Sequence, residues 1–363
     1  MTTAESRRNF LRKSFALAGA AQSVMPLHAQ EQHDRATRGL PPVTIKEAKV
    51  IKTSGGRRYR WVFLKLITSE PGLYGIGTAN NAFQTDAVIT ALEKSLIPWL
   101  IGKDVSRIED LWASAQYRTY WRNGPVNNVA LAAMDMALWD IKGKRANMPV
   151  YELLGGKTRD AVACYDHQGG NSKEEAVENV QKSVATGYRH VRVQFGPGGY
   201  GGGGFYPKGK GERAEGGYEG PAFDEDLYVN TVPAMFEYVR MKVGTEPKLL
   251  HDVHSHLSGV NAVEFCRRMQ PYQMFFIEDV LSPEQLDWYR QIRQVCSTPQ
   301  AVGEVFSHPL ETVPLVRERL IDFTRCRIVA MGGITPMRKI VALCELHGVR
   351  TAFQEGGEND PVN

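Results

Sequence analysis

Three acidic residues recur at a constant interval in the second half of the chain. Asp252, Glu278 and Glu304 each follow a short apolar run, and successive members are 26 residues apart. One strand, one helix and two loops take about that length, so we expect the carboxylates at the ends of three adjacent parallel strands. Three clustered anions need a compensating cation. Oxygen ligands suit a hard divalent ion, and carboxylates with retained waters favour Mg²⁺ over Zn²⁺.

His254 lies two residues beyond Asp252. If the extended conformation persists, its imidazole faces the same side as the Asp252 carboxylate. Imidazole titrates near neutral pH, so beside a metal it can move a proton, and the alternative is a purely structural histidine. We interpret His251 and His256 as structural, because neither is coupled to an acid in this way.

Another strand-like run carries Arg192 and Gln194 on one face and Val191 and Val193 on the other. A guanidinium facing the site can orient a carboxylate or a sugar hydroxyl, but it is a poor base because it keeps its proton. A second interpretation is that Arg192 only pairs with a metal-ligating acid. We expect Gln194 to contact the substrate.

The segments that carry these residues alternate between strand-like and helical patterns. Seven such units in series favour a closed (β/α) barrel, in which the loops after the strands form the active site. A doubly wound open sheet is the alternative. The predicted strands are residues 162–165, 190–194, 248–252, 274–278, 301–304, 323–329 and 350–353.

A different pattern precedes the barrel. Strand-like runs at 43–53, 59–68 and 73–78 are separated by glycine and proline, which predicts an antiparallel meander. Helical periodicity follows, as in the apolar series that includes Leu131 and Leu138. The sequence therefore predicts a separate α+β unit. Its predicted helices are residues 85–99, 106–121 and 126–145.

The connection after the second barrel strand, residues 196–220, is rich in glycine and contains Tyr200 and Tyr206. One interpretation is a mobile lid whose aromatic side chains close over a ligand. The other is a disordered surface insertion.

Residues 1–29 have the order of an export signal: a basic start with Arg7 and Arg8, a short apolar run, and a small-residue site after Ala29. The paired arginines resemble a twin-arginine signal, which predicts a periplasmic or other extracytoplasmic location and no membrane association after cleavage. The apolar run is too short to span a bilayer. The alternative is a basic amphipathic first helix.

Composition excludes several classes of protein. With 42% hydrophobic residues, the 363-residue chain can bury a large core. The formal net charge is +4, and much of it comes from residues 1–29, so nothing indicates a nucleic-acid partner. The five cysteines lack the spacing of a disulfide framework or a zinc site, and we expect them to be buried thiols.

Two stretches resemble the enolase superfamily, in the mandelate racemase and muconate lactonising group. The first runs from Ala130 to Gly155 and contains Ala-Leu-Ala-Ala-Met-Asp-Met-Ala-Leu-Trp-Asp-Ile-Lys-Gly-Lys. The second runs from Leu249 to Asp279 and includes Asp252-x-His254 and Ile277-Glu278-Asp279, with Val280 where a proline is usual. The resemblance covers the chain from about Val43 onward.

This resemblance implies an α+β capping domain at residues 43–155 and a modified (β/α)₇β barrel of the TIM type at 156–363. It also implies Mg²⁺ on Asp252, Glu278 and Glu304. The shared first step is removal of the proton alpha to a carboxylate, which gives an enediolate stabilised by the metal. We further expect a homo-oligomer.

Within the group, the chain is most similar to the mannonate dehydratase branch, which removes water from acid sugars such as mannonate or gluconate. The racemase and muconate branches carry Lys-x-Lys where this chain has Arg192-Val193-Gln194. By this resemblance, Arg192 and either Tyr200 or Tyr206 remove the C2 proton, and His254 protonates the leaving 3-hydroxyl. Asn123, in the run Tyr-Trp-Arg-Asn-Gly-Pro, is expected to bind the substrate.

The chain departs from that branch at the seventh strand. The dehydratases have Trp-His-Gly-Pro, whereas here Gln354 replaces the histidine and Glu355 follows. Glutamine is neither an acid nor a base, so we expect Gln354 to contact the substrate. Glu355 either replaces the histidine or binds the ligand, so substrate and reaction can both differ. The chain ends at Asn363, just after the seventh strand, so we expect an incomplete barrel of lower stability. The alternative functions are a racemase or epimerase and a non-catalytic periplasmic binding protein.

Overall fold

The computed structural model describes residues 41–54, 60–80, 84–195, 202–205 and 223–354. Three strands form an antiparallel sheet in the order β1-β2-β3, as the sequence predicts. Val62, Leu64 and Leu66 alternate along β2 and are fully buried on one face of this sheet. The strands are β1 (Ile45–Ser54), β2 (Arg60–Thr68) and β3 (Tyr74–Thr78).

Helices cover the buried face of the sheet. The longest of them, α4, lies so close to β3 that a side chain on Gly75 or Gly77 would be 2.0 Å from a carbonyl oxygen of Ala137 or Ala133. Only glycine permits this approach. The helices are α1 (Thr85–Ala91), a π-helical turn (Leu92–Leu96), α2 (Ile97–Leu100), α3 (Ile108–Tyr117), α4 (Pro125–Ala146) and α5 (Val150–Leu153).

The second sheet has seven parallel strands in the order β10-β9-β8-β7-β6-β5-β4. This order and the helices between the strands confirm the predicted barrel type with its α+β capping domain. The strands are β4 (Tyr165–Gly170), β5 (His190–Phe195), β6 (Lys248–Asp252), β7 (Phe276–Glu278), β8 (Gln300–Val302), β9 (Phe323–Thr324) and β10 (Arg350–Thr351). The helices are α6 (Lys173–Ala185), α7 (Glu225–Val243), α8 (Gly259–Met269), α9 (Tyr289–Val295), α10 (Pro309–Arg317) and α11 (Ile334–His347).

Side chains from several strands meet inside the curved sheet. Leu250, Phe276, Ala301 and Phe323 are buried together, and Tyr165 of β4 packs against them. The first strand of the series thus reaches the interior formed by the later ones. A layer of inward side chains from different strands is typical of a packed (β/α) barrel.

Several predicted boundaries were wrong. The first barrel strand begins at Tyr165, where the prediction ended, because the residues from 161 to 164 are exposed and form no ladder. The sixth strand is only Phe323–Thr324, although the N–H of Arg325 still donates to the carbonyl oxygen of Val302 on β8 at 2.8 Å. Cys164 is exposed, contrary to the expectation for all five cysteines, whereas the other four are buried and free.

Residues 1–40, which include the predicted export signal, lie outside the described residues, as do most of residues 196–220. None of the described helices combines the length and the apolar character that spanning a bilayer requires.

Two helices of the capping domain bind the barrel through its backbone. The Asn128 side chain donates a hydrogen bond to the carbonyl oxygen of Ala330 at 2.8 Å and another to that of Ser307. Trp112 Nε1 donates to the carbonyl oxygen of Gly332 at 2.8 Å. These carbonyl groups follow strands β8 and β9, so the capping domain is attached next to the barrel mouth.

Asp135 is a buried carboxylate at the same interface. Its Oδ2 accepts a hydrogen bond from the backbone N–H of Thr335 at 2.9 Å, in the first turn of α11. Gly333 approaches it so closely, at φ +109°, that a side chain there would clash with the carboxylate. Within the described residues, Asp135 Oδ1 has no hydrogen-bond partner. Burial raises the pKa of Asp135 to about 6.

This raised pKa predicts a pH-dependent stability. The folded chain holds the proton on Asp135 more tightly than the unfolded chain, so this contribution is present below about pH 4 and is lost as the pH rises through 6. At about 1.4 kcal/mol per pKa unit, the loss reaches about 3 kcal/mol. Relative to the wild type, Asp135→Asn should therefore gain stability between pH 4 and pH 7. Urea unfolding at each pH measures this difference, and a difference that does not change with pH would contradict the assignment.

Candidate active site

The three acids predicted from their spacing lie at the carboxyl ends of successive barrel strands. Asp252 ends β6 and is paired in register with Glu278, which ends β7. Both side chains are fully buried. Glu304 is placed differently, because the residue beside Glu278 on β8 is Ala301 and Glu304 follows in the next turn. The expected equal height therefore applies to the first two acids and is wrong for Glu304.

The turn after β8 nevertheless directs Glu304 toward the other acids. A carboxylate oxygen of Glu304 lies within 4.8 Å of ligand atoms of Asp252 and His254, and one lies as close to carboxylate oxygens of Glu278 and Asp279. The structure thus brings the three predicted acids and His254 into one cluster. Asp279, which sequence reasoning left without a role, joins them.

The predicted reason for the position of His254 is wrong. The strand ends at Asp252, and His254 has φ +57°, in the left-handed region, so the chain turns instead of remaining extended. Its backbone N–H donates to Asp252 Oδ1 at 2.8 Å, and this bond folds the imidazole back toward the acids. Burial lowers the pKa of His254, and the neighbouring His256 ring adds to this effect.

Arg192 and Gln194 share the inward face of β5. Arg192 Nη1 lies 3.2 Å from Asp252 Oδ2 and 3.5 Å from Glu278 Oε2. Gln194 Nε2 donates to the backbone carbonyl of Asp252 at 2.8 Å. Of the two interpretations of Arg192, its contacts agree with the one in which it pairs with metal-ligating acids, here Asp252 and Glu278.

Arg325 is a site residue that sequence reasoning missed. It is fully buried, and its Nε donates to Glu278 Oε1 at 2.8 Å. Its Nη2 donates to the Tyr165 hydroxyl at 3.0 Å and to Oε1 of Gln354. Because a guanidinium only donates, the amide oxygen of Gln354 must face it. Arg325 thus connects Glu278 to Tyr165 on the first strand of the series, β4, and to Gln354, which follows the last strand, β10.

His167 is a second missed residue. It lies on β4, the strand whose position was predicted wrongly. Its Nδ1 lies 3.1 Å from Nη2 of Arg192. Burial, with the charge of Arg192, lowers the pKa of His167 to about 4, so the imidazole is neutral at pH 7. The period of two along a strand is the signal that could have found both residues. His167 follows the inward Tyr165 by two positions, and Arg325 follows the inward Phe323 in the same way.

The charges of the cluster favour binding of a cation. Burial raises the pKa of Asp252 well above its usual range, with the charge of Glu278 as the next cause, and the same two causes raise the pKa of Glu304. Within the described part of the chain, Oε2 of Glu278 and Oε2 of Glu304 are buried and accept no hydrogen bond. Such oxygens, beside Asp252, fit a hard divalent ion.

The remaining predicted site residues are not part of this cluster. The Asn123 side chain accepts a hydrogen bond from Gln116 Nε2 at 2.8 Å, and no contact among the described residues joins it to the acids. Tyr200, Tyr206 and Glu355 lie outside the described residues.

The two other histidines of this segment have structural contacts. His251 is buried, with Nε2 lying 2.7 Å from the Tyr228 hydroxyl and Nδ1 lying 2.7 Å from the Val193 carbonyl oxygen. His256 Nδ1 lies 2.8 Å from the carbonyl oxygen of Val253, and its ring stacks on that of His254 with centroids 5.7 Å apart.

Known proteins are similar to this chain in sequence and in architecture. The family model described as mandelate racemase/muconate lactonizing enzyme, N-terminal domain, matches residues 40–155, and the one described as enolase C-terminal domain-like matches residues 175–361. A D-galactonate dehydratase family member from Paenibacillus sp. (strain JDR-2) is 50% identical over 304 residues, covering 84% of this chain and 74% of the relative.

Two further similarities come from Pantoea ananatis. The D-galactonate dehydratase family member RspA of strain LMG 20103 is 43% identical over 334 residues, covering 88% of this chain and 79% of the relative. A crystal structure of an enolase from this organism, with bound D-gluconate and Mg, has a TM-score of 0.83 and 42% identity. The match covers 88% of this chain and 80% of that one.

The fold and the site define a barrel enzyme that has an acidic cluster at its strand ends and an α+β capping domain. The chain belongs to the enolase superfamily, in the mandelate racemase/muconate lactonizing group, and within it to the D-galactonate dehydratase family. This is a family of hydro-lyases, enzymes that remove water from their substrates.

Proposed function

We propose that the chain dehydrates a sugar acid, an aldonate such as mannonate or gluconate, with Mg²⁺ as its metal. The observation that carries this proposal is the meeting of Asp252, Glu278 and Glu304, which leaves two buried carboxylate oxygens without a hydrogen bond from the described residues. The Pantoea ananatis structure contains D-gluconate and Mg, and the relatives are named after D-galactonate. These names support an aldonate as the substrate class.

Different side chains around the cluster can carry out different steps of the reaction. When bound, Mg²⁺ supplies positive charge that stabilises the negative charge developing on the substrate carboxylate. Arg192 keeps its proton and holds Asp252 and Glu278 in place. A ring nitrogen of His254 delivers a proton to the departing 3-hydroxyl, which then leaves as water. Tyr200 or Tyr206, paired with Arg192, remains our prediction for the group that removes the C2 proton.

Incubation of the chain with a library of aldonates tests the proposal. We expect a 2-keto-3-deoxy acid from at least one of mannonate, gluconate or galactonate. EDTA should abolish its formation, and added Mg²⁺ should restore it, because the acids alone repel one another and cannot neutralise the substrate carboxylate. Colorimetric detection of the 2-keto-3-deoxy product measures the effect. A library that yields no product from any acid would exclude the dehydratase.

The amide of Gln354 motivates two further readouts from the same incubation. It contacts Arg325 and cannot exchange a proton. The position that carries a histidine in the mannonate dehydratase branch therefore supplies neither an acid nor a base in this chain. Solvent deuterium appearing at C2 without loss of water would instead indicate an epimerase or racemase. Calorimetric binding of an aldonate that NMR finds unchanged would indicate a non-catalytic binding protein.

Two further proposals concern the setting of this activity. We propose that residues 1–29 direct twin-arginine export, so that the mature chain works outside the cytoplasm, and that it functions as a homo-oligomer. The paired arginines Arg7 and Arg8 support the first, and the resemblance to the superfamily supports the second.

A further inference from the structure

Asp279 directly follows Glu278 and is buried, with 2% of its surface exposed. Its two carboxylate oxygens bind the backbone of a different turn. Oδ1 accepts the N–H of Gly303 at 2.8 Å, and Oδ2 accepts the N–H of Glu304 at 3.1 Å. A side chain from the turn after β7 therefore holds the turn after β8, which bears Glu304.

The backbone of Asp279 connects two more segments. Its carbonyl oxygen accepts the N–H of Ser255 at 2.6 Å, and its own N–H donates to the carbonyl oxygen of Ala301 at 3.0 Å. Ser255 belongs to the turn that bears His254. Asp279 also has φ +38°, a conformation that non-glycine residues rarely adopt and that needs support from its surroundings. One residue thus joins the turn that carries His254 to the turn that carries Glu304.

The turn that bears Glu304 begins at Gly303, whose N–H is bound by Asp279, and closes with a hydrogen bond from the N–H of Phe306 to the carbonyl oxygen of Gly303 at 3.2 Å. Gly303 has φ +133°, and a side chain there would be 2.9 Å from the sulfur of Cys326, so this position can carry none. At the far end of the Glu304 side chain, Oε2 accepts no hydrogen bond from the described residues. The backbone that Asp279 holds therefore contributes to the direction of that carboxylate.

We propose that Asp279 is a positioning residue for the metal site and acts through Glu304. Its carboxylate lies close to those of Glu278 and Glu304, and both of its oxygens accept N–H groups of the turn that bears Glu304, so we assign to it the support of that turn. Only a carboxylate can accept on both oxygens. In an asparagine one of them becomes an NH₂ group that faces an N–H donor. This inference rests on the proposed metal site.

A double-mutant cycle on Mn²⁺ binding tests the inference. The probe is Mn²⁺ alone, followed by electron paramagnetic resonance and water proton relaxation, with the wild type, Asp279→Asn, Glu304→Gln and the double variant. Supporting residues of metal ligands typically contribute about 10–100-fold in affinity, and we expect that loss in Asp279→Asn. The double variant should bind nearly as well as Glu304→Gln, because Asp279 acts through Glu304 and the two losses are not additive.

Asp135→Asn is the matched control. Asp135 is also a buried carboxylate that accepts a backbone N–H, that of Thr335, but it lies at the interface with the capping domain. Its variant should bind Mn²⁺ as the wild type does. Circular dichroism checks that each variant is folded. If Asp279→Asn does not fold, Asp279→Glu keeps both acceptor oxygens one methylene further out and enters the same cycle, with a smaller expected loss.

The outcomes separate this inference from the proposed function. Additive losses, or an Asp279 variant that binds Mn²⁺ as tightly as the wild type, would overturn the positioning role alone. A folded wild type that binds no Mn²⁺ would overturn the proposed metal site and this inference with it.

Discussion

Replacing Arg325 by methionine is expected to destabilise the folded chain by about 3–5 kcal/mol, the usual cost of removing one partner from a buried ion pair. The variant would leave Glu278 without its closest cationic contact, at 2.8 Å. It would also remove the guanidinium donor to the buried Oε1 of Gln354 and to the hydroxyl of Tyr165. Loss of one cation beside several acids increases their mutual repulsion as well. Urea unfolding at pH 7 measures the change.

Arg290→Met is the matched control for this prediction. Arg290 contacts two acids, Glu318 and Asp287, at 2.6 Å and 2.5 Å, but all three side chains are largely exposed. Exposed ion pairs contribute little because water and salt screen them. We therefore expect the control to unfold near the wild-type midpoint. Equal losses in the two variants would show that burial of Arg325 is unimportant.

Replacing His254 by asparagine is expected to lower turnover of the aldonate substrate by about 10²–10⁴-fold, the range for loss of a general acid or base. Asparagine tolerates the left-handed backbone of this position, at φ +57°, better than most residues, so strain should be small. The bond from the backbone N–H to Asp252 does not depend on the side chain. Steady-state kinetics with the best aldonate of the library, together with Mn²⁺ affinity, measure the effect.

His256→Asn serves as the comparison, since His256 stacks on His254 but its Nδ1 contacts only the Val253 carbonyl oxygen among the bonds described. We expect its turnover to remain close to that of the wild type. A parallel fall in Mn²⁺ affinity for His254→Asn would identify His254 as a metal ligand. Unchanged turnover would remove it from the mechanism.

The sequence was informative where a simple periodic rule holds. Strand β6, residues 248–252, was predicted with its observed bounds from the alternation of strand-like and helical segments. The spacing of 26 residues predicted that Asp252 and Glu278 meet, and they are paired in register. The faces of Arg192 and Gln194 followed from the period of two along β5.

Features formed by turns could not be predicted in this way. Glu304 reaches the cluster from a turn whose course depends on the left-handed Gly303 and on the carboxylate of Asp279. His254 reaches it through a turn that the extended interpretation did not contain. The period of two places Arg325 on the face of Phe323, but its contacts with Glu278, Tyr165 and Gln354 come from distant parts of the chain. Such contacts join residues far apart in the chain, and local patterns do not encode them.

The bonds from Asn128, Trp112 and Asp135 to the barrel all end on main-chain atoms of residues 307–335. Substitution of most barrel side chains in this segment therefore leaves the attachment intact, whereas a change in the course of the loop would break several bonds together. The side chains of this segment can therefore change while the capping domain stays attached to the barrel through these main-chain bonds. The position of the capping domain thus depends on the course of the barrel's backbone in this segment more than on the identity of its side chains.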